Sequence, residues 1–79
     1  MTLETNVLEI ISRVIKIPAS KLNKNSGLGL VEGWDSLKHT ELILELENEF
    51  DISFDFDELD KIISVERIVL SLRLKGIDL

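Results

Sequence analysis

Seventy-nine residues make one domain at most, and fifteen acidic against nine basic side chains leave a net charge of −6 with the single histidine neutral. That balance excludes a nucleic-acid binder, which needs clustered Lys and Arg to neutralise phosphate, and it excludes attraction to an anionic membrane surface. The absence of cysteine excludes a disulfide staple, a thiolate metal site and a cysteine nucleophile.

No apolar run approaches the roughly 20 residues of a membrane span, and the start MTLETNVLEI carries acid where a signal peptide wants base. The expectation is a soluble, cytoplasmic, monomeric domain whose partners are basic.

The first predicted helix runs from about Leu3 to Ile17. Leu3, Val7, Ile10, Val14 and Ile17 form one stripe at helical spacing, and Leu8, Ile11 and Ile15 widen it. So wide a stripe should meet more than one neighbour. Thr2 is the expected N-cap, and Pro18 makes Ile17 the expected last helical residue.

The segment from Ala19 to Trp34 reads as a loop, since it holds three of the four glycines along with Ser20, Asn23, Asn25 and Ser26. A loop of this length in so small a domain is either functional or packed by its own side chains. Leu22, Leu28, Leu30 and Val31 are its expected anchors to the core.

The second predicted helix runs from Ser36 to Phe50, with Asp35 as N-cap. On a wheel of about 100° per residue, His39, Leu42, Ile43, Leu46 and Phe50 share the core side. Leu37 and Leu44 lie nearly opposite, with Glu41, Glu45 and Glu47 on or beside their face. Two leucines ringed by carboxylates make a candidate docking surface. The acids continue: from Glu41 to Asp60 there are nine and no base. Such a field steers a basic partner, or simply keeps a small protein soluble.

After Phe50, the alternation of Ile52, Phe54 and Phe56 is strand-like but has no evident partner strand. An extended loop followed by a short helix near Asp57 to Lys61 is the expectation. Asp51, Ser53, Asp55 and Asp57 have the spacing of a calcium loop, but Phe56 stands where that loop needs glycine and Ile62 where it needs glutamate. The last helix starts after Ser64, buries Val65, Ile68, Val69 and Leu72, and ends at Gly76. The fold class is therefore all-α: a bundle of three main helices plus one short helix, with a long loop between the first and second.

Ser36 opens the second helix, where free N–H groups and the positive end of the dipole favour an esterified phosphate. Gly33-Trp34-Asp35-Ser36-Leu37, followed by Glu41-Leu42 and Leu46-Glu47-Asn48-Glu49-Phe50, resembles the acyl carrier proteins, and the likeness extends from the first helix to Ile62-Ile63-Ser64-Val65. The resemblance implies a 4′-phosphopantetheine arm on Ser36, attached by a phosphopantetheinyl transferase. It implies a carrier, not an enzyme, with the sulfur supplied by the cofactor.

It further implies that Asp35, Leu37, Glu41, Leu44 and Glu47 meet basic patches on acyl-transferring and synthase enzymes. Trp34, Lys38 and Asn48 depart from the fatty-acid carriers. The W-D-S-L variant looks more like specialised carriers of secondary-metabolite or surface-polysaccharide pathways. Trp34 either packs the loop against the second helix or sets specificity. His39 is expected to be partly buried and hydrogen-bonded to the loop. The rival reading is an unmodified helical adaptor that binds a basic protein through the same acidic face.

Overall fold

A computed structural model describes residues 2–77 of the chain. Three α-helices carry it: α1 (Leu3–Ile15), α2 (Ser36–Phe50) and α3 (Val65–Leu74). Two short 3-10 turns lie in the connections, at Ala19–Lys21 and Phe56–Glu58. There is no strand among the described residues, so the all-α expectation holds, with the short fourth element reduced to a 3-10 turn.

Helix α1 starts where Thr2 caps it, its hydroxyl accepting the Thr5 N–H at 3.2 Å. It buries Leu3, Val7, Ile10, Ile11 and Ile15 and packs against both α2 and α3, as its wide stripe requires. It ends two residues earlier than expected. Lys16 turns into the left-handed region at φ 63 and donates its N–H to the Ser12 carbonyl at 2.9 Å. Ile17 precedes Pro18 and is disfavoured in helical conformation, so the chain must leave the helix before it rather than after it.

The long loop is built by local hydrogen bonds and then tied to the start of α3. Asn23 and Ser26 bond each other's backbone and side chain, with Asn23 N–H donating to Ser26 Oγ at 3.0 Å. Leu28 N–H donates to the Ile63 carbonyl at 2.8 Å, and Val65 N–H to the Ser26 carbonyl at 2.9 Å. At this crossing Gly27 faces Ser64 in an isolated antiparallel bridge, and a Cβ on Gly27 would stand 2.5 Å from the Ile63 carbonyl oxygen. Only glycine allows the two backbones so close.

Leu22 is buried, and Leu28 and Val31 pack against the core as expected. Leu30 does not. It is 79% exposed, on the outside of the turn that its own N–H closes onto the Gly27 carbonyl.

Helix α2 has the expected bounds. Asp35 caps it by accepting the Lys38 N–H at 2.9 Å, and Asp51 ends it in the left-handed region at φ 53. The following segment is extended without a ladder. Phe54 is buried, while Phe56 is 80% exposed, because the chain turns at Asp55 into the 3-10 turn and breaks the alternation. Helix α3 is capped by Ser64 and buries Val65, Ile68 and Leu72. Gly76, at φ 94, follows its end. Among the described residues α2 and α3 make no close backbone approach to each other, since both lean on α1. The segment carrying Phe54 and Ile62 covers the remaining side of the core.

Candidate functional site

Ser36 is the first residue of α2 and is exposed. No hydrogen bond engages its hydroxyl among the described residues. Its carbonyl, by contrast, accepts the Thr40 hydroxyl at 3.0 Å. Asp35 satisfies the Lys38 N–H and its carbonyl takes the His39 N–H at 2.8 Å. The N–H groups of Ser36 and Leu37 lie in the first turn, where a helix supplies them no internal acceptor. A free hydroxyl beside such donors suits a phosphodiester, so the residues present fit a phosphate-linked group.

The outward face of α2 is as the wheel predicted. Leu37 and Leu44 are 68% and 61% exposed. Glu41 stands between them and pairs with Lys38 at 3.3 Å, a contact at the surface. Glu45 approaches Arg13 of α1 at 3.5 Å. Glu47 is different. It is half-buried, and its Oε2 accepts the Phe54 N–H at 2.8 Å, which fixes the extended segment against α2. The sequence offered no signal for this bond, since Phe54 has no ladder partner to suggest where its N–H goes. The face thus joins Asp35, Ser36, Leu37, Glu41 and Leu44 on one open surface, with Glu47 at its edge.

Behind Ser36, Trp34 and His39 form one buried unit. Trp34 is 1% exposed and packs the loop onto the core. Its indole N–H donates to His39 Nδ1 at 2.9 Å, and the rings stack with centroids 6.0 Å apart. This is the expected bond between His39 and the loop. An indole N–H can only donate, so Nδ1 is unprotonated and the neutral ring carries its proton on Nε2.

Burial lowers the pKa of His39 below the ordinary histidine value. Charging the ring would strip water from an imidazolium and would also turn Nδ1 into a second donor facing the indole. The unfolded chain takes up this proton at about pH 6.5, the folded chain only at lower pH. The contribution of His39 to stability is therefore intact above that pH. It declines as the pH falls below it and levels off once the folded ring is protonated. An NMR titration of the ring protons should give a midpoint below the ordinary value, and a midpoint at or above it would contradict a neutral buried ring.

Two clefts flank the segment between α2 and α3. One, of about 320 Å³, lies against α2 and is lined by His39, Thr40, Ile43, Leu44, Glu47, Phe54 and Leu59. The other, of about 360 Å³, lies against α3 between Glu58, Ile62, Leu70 and Leu74, where Lys75 pairs with Glu58 at 2.9 Å. The first begins one helical turn from Ser36. The second is bordered by Leu70 and Leu74, which are exposed off the core stripe of α3. Among the described residues no helix is long and apolar enough to cross a membrane.

Comparison with known proteins bears on this geometry. The profile of the family described as "Phosphopantetheine attachment site" matches residues 6–72. The chain is 30% identical over 77 residues to the acyl carrier protein of Syntrophus aciditrophicus, with 98% of this chain and 96% of that one covered. It is 31% identical over 75 residues to the acyl carrier protein of Nitratidesulfovibrio vulgaris, covering 95% and 99%. It is 32% identical over 75 residues to that of Chlamydia felis, covering 95% and 96%.

Proposed function

The chain belongs to the acyl carrier protein family, with its phosphopantetheine attachment site, and from that premise we propose that Ser36 is the attachment point and α2 the docking helix. It is a carrier and not an enzyme, and its prosthetic group is a covalently bound 4′-phosphopantetheine. When bound, that group supplies the thiol that holds acyl groups, which this cysteine-free chain lacks. The observation that carries the assignment is the Ser36 hydroxyl: exposed, unengaged, and set at the start of a capped helix.

On attachment, Ser36 Oγ loses its proton and bonds to the phosphorus next to the pantetheine of coenzyme A. The phosphorus–oxygen bond to the adenosine bisphosphate breaks, and that portion leaves. A separate phosphopantetheinyl transferase carries out the exchange. Asp35, Leu37, Glu41, Leu44 and Glu47 present the chain to it and to acyl-transferring or synthase enzymes with basic patches. Leu37 and Leu44 supply apolar contact, and the acids supply steering. The chain acts as a single domain of residues 1–79 and as a monomer in the cytoplasm. Trp34, Lys38 and Asn48 favour a specialised pathway, of secondary metabolites or surface polysaccharides, over general fatty-acid synthesis.

The test is intact-protein mass before and after incubation with coenzyme A, magnesium and a broad-specificity transferase, followed by peptide mapping. One added group on the peptide containing Ser36 supports the assignment. A group mapped to another serine overturns it, and no gain from an active transferase and a folded chain means either a dedicated transferase or the adaptor. A second expectation concerns Glu41→Lys. The Lys38–Glu41 contact is at the surface, where such pairs contribute about 0–1 kcal/mol, so the melting temperature should barely move. Association with the transferase should slow by about tenfold at low salt, with the difference shrinking as salt is added. Unchanged rates in a stopped-flow binding assay would remove Glu41 from the docking face.

A further inference from the structure

The cleft against α2 has a wall of Ile43, Leu44, Phe54 and Leu59, and it opens one helical turn from Ser36. Most of the polar atoms along it are committed. The Thr40 hydroxyl donates to the Ser36 carbonyl. Glu47 Oε2 accepts from Phe54 N–H, and His39 Nδ1 accepts from the Trp34 indole. His39 Nε2, by contrast, is sealed from solvent and has no partner among the described residues. His39 itself is only 8% exposed.

The bond at Nδ1 places the ring proton on Nε2. His39, one of the residues that line the cleft, therefore carries a buried N–H donor with a fixed tautomer and no acceptor among the described residues. A buried donor of this kind is rare, because its lost bond to water goes unreplaced. Nε2 has almost no solvent-accessible surface, so a carried group that reached it as an acceptor would have to enter the cleft and part its lining.

We infer that His39 Nε2–H is a specificity-determining donor, which favours a carried acyl group bearing a neutral oxygen on its chain over a plain saturated one. The inference rests on Ser36 as the attachment point, because that places the cargo beside this cleft. The preference for a neutral oxygen follows from Glu47, whose carboxylate lines the same cleft and opposes a second negative charge. An apolar chain fills the wall of Ile43, Leu44, Phe54 and Leu59 equally well with or without the oxygen. The oxygen alone satisfies the donor, and a site built to hydrogen-bond a substrate group discriminates against an analogue that lacks it.

The test loads the full chain, on Ser36 as verified by peptide mapping, with butanoyl or 3-hydroxybutanoyl groups. The first readout is the ¹⁵N and ¹H signals of the His39 ring. The hydroxylated cargo should shift the Nε2–H signal, and butanoyl should leave it where the unloaded holo-protein has it. The second readout is thioester cleavage by hydroxylamine, normalised to the same two thioesters of free pantetheine. The hydroxylated cargo should be protected about tenfold more than butanoyl, and His39→Phe should bring the two together.

Equal shifts with both cargoes would assign the acceptor to the thioester carbonyl and overturn the selectivity. No shift with either would overturn the donor role altogether. If His39→Phe does not fold, the wild-type comparison decides alone. Attachment at a residue other than Ser36 would be seen in the mapping step, so failure of the earlier assignment is distinguishable from failure of this one.

Discussion

Ser36→Ala is expected to abolish phosphopantetheine attachment completely while leaving the fold as it is. The hydroxyl is the only group lost. It is exposed and makes no hydrogen bond among the described residues, so no buried partner is left unsatisfied. The cap of α2 belongs to Asp35 and the Thr40 hydroxyl bonds the backbone carbonyl of residue 36, so both contacts survive the substitution. Alanine is also a good helix former. The change in stability should stay within about 0.5 kcal/mol, read as a thermal melt matching the wild type. The change in labelling is all or none, because no oxygen remains at that position to take the phosphoryl group. A variant that still gains the group would place the attachment elsewhere. An adaptor acting through Leu37, Glu41 and Leu44 would gain no group on either protein, so labelling that the wild type shows and Ser36→Ala loses separates a carrier from an adaptor.

The parts of this fold that were legible in the sequence are those that short-range rules decide. Asp35 and Ser64 are side chains that cap, and both helices begin where those residues stand. The stripe of α1 was wide because two helices, α2 and α3, lean on it. The departures have local causes that pattern reading weighs poorly. Pro18 acts on Ile17, and the left-handed Lys16 then closes α1 earlier than the apolar spacing implies. Phe56 continues an alternation that the turn after Asp55 has already ended. Leu30 is apolar, but its turn faces outward.

The site was legible in a similar way. Ser36, Leu37, Glu41 and Leu44 share a face because α2 is regular. The commitment of Glu47 to Phe54 was hidden, since it depends on an extended segment folding back across seven residues. Trp34 and His39 were each readable as buried or loop-bonded. Their joining into one unit that fixes a tautomer depends on the close approach of the two rings, which no spacing in the sequence encodes.

That unit sets the second large expected effect: Trp34→Ala should bring the chain close to unfolding. Truncating a buried tryptophan typically costs about 3–5 kcal/mol, and Trp34 is among the largest fully buried side chains here. The same change removes the donor to His39 Nδ1, leaving a buried acceptor unpaired at a further cost of about 1–3 kcal/mol. A domain of 79 residues has a total stability of about 4–12 kcal/mol at the usual 0.05–0.15 kcal/mol per residue, so the loss is comparable with the whole.

The effect should also reach the site. Trp34 donates its backbone N–H to the Val31 carbonyl and accepts the Gly29 N–H at its own carbonyl, both at 3.0 Å. Those backbone bonds survive the substitution, but without the buried indole the turn that delivers Asp35 and Ser36 to the start of α2 loses its anchor in the core. Trp34→Phe divides the two contributions, since it keeps an aromatic ring in the core but supplies no N–H. It should melt between the wild type and Trp34→Ala in chemical denaturation. The His39 ring should lose its fixed tautomer in the phenylalanine variant, which ¹⁵N chemical shifts would register directly. If Trp34→Ala instead melted within 1 kcal/mol of the wild type, the indole would be neither the core anchor nor the partner that orients His39, and the donor assigned to Nε2 would lose its basis.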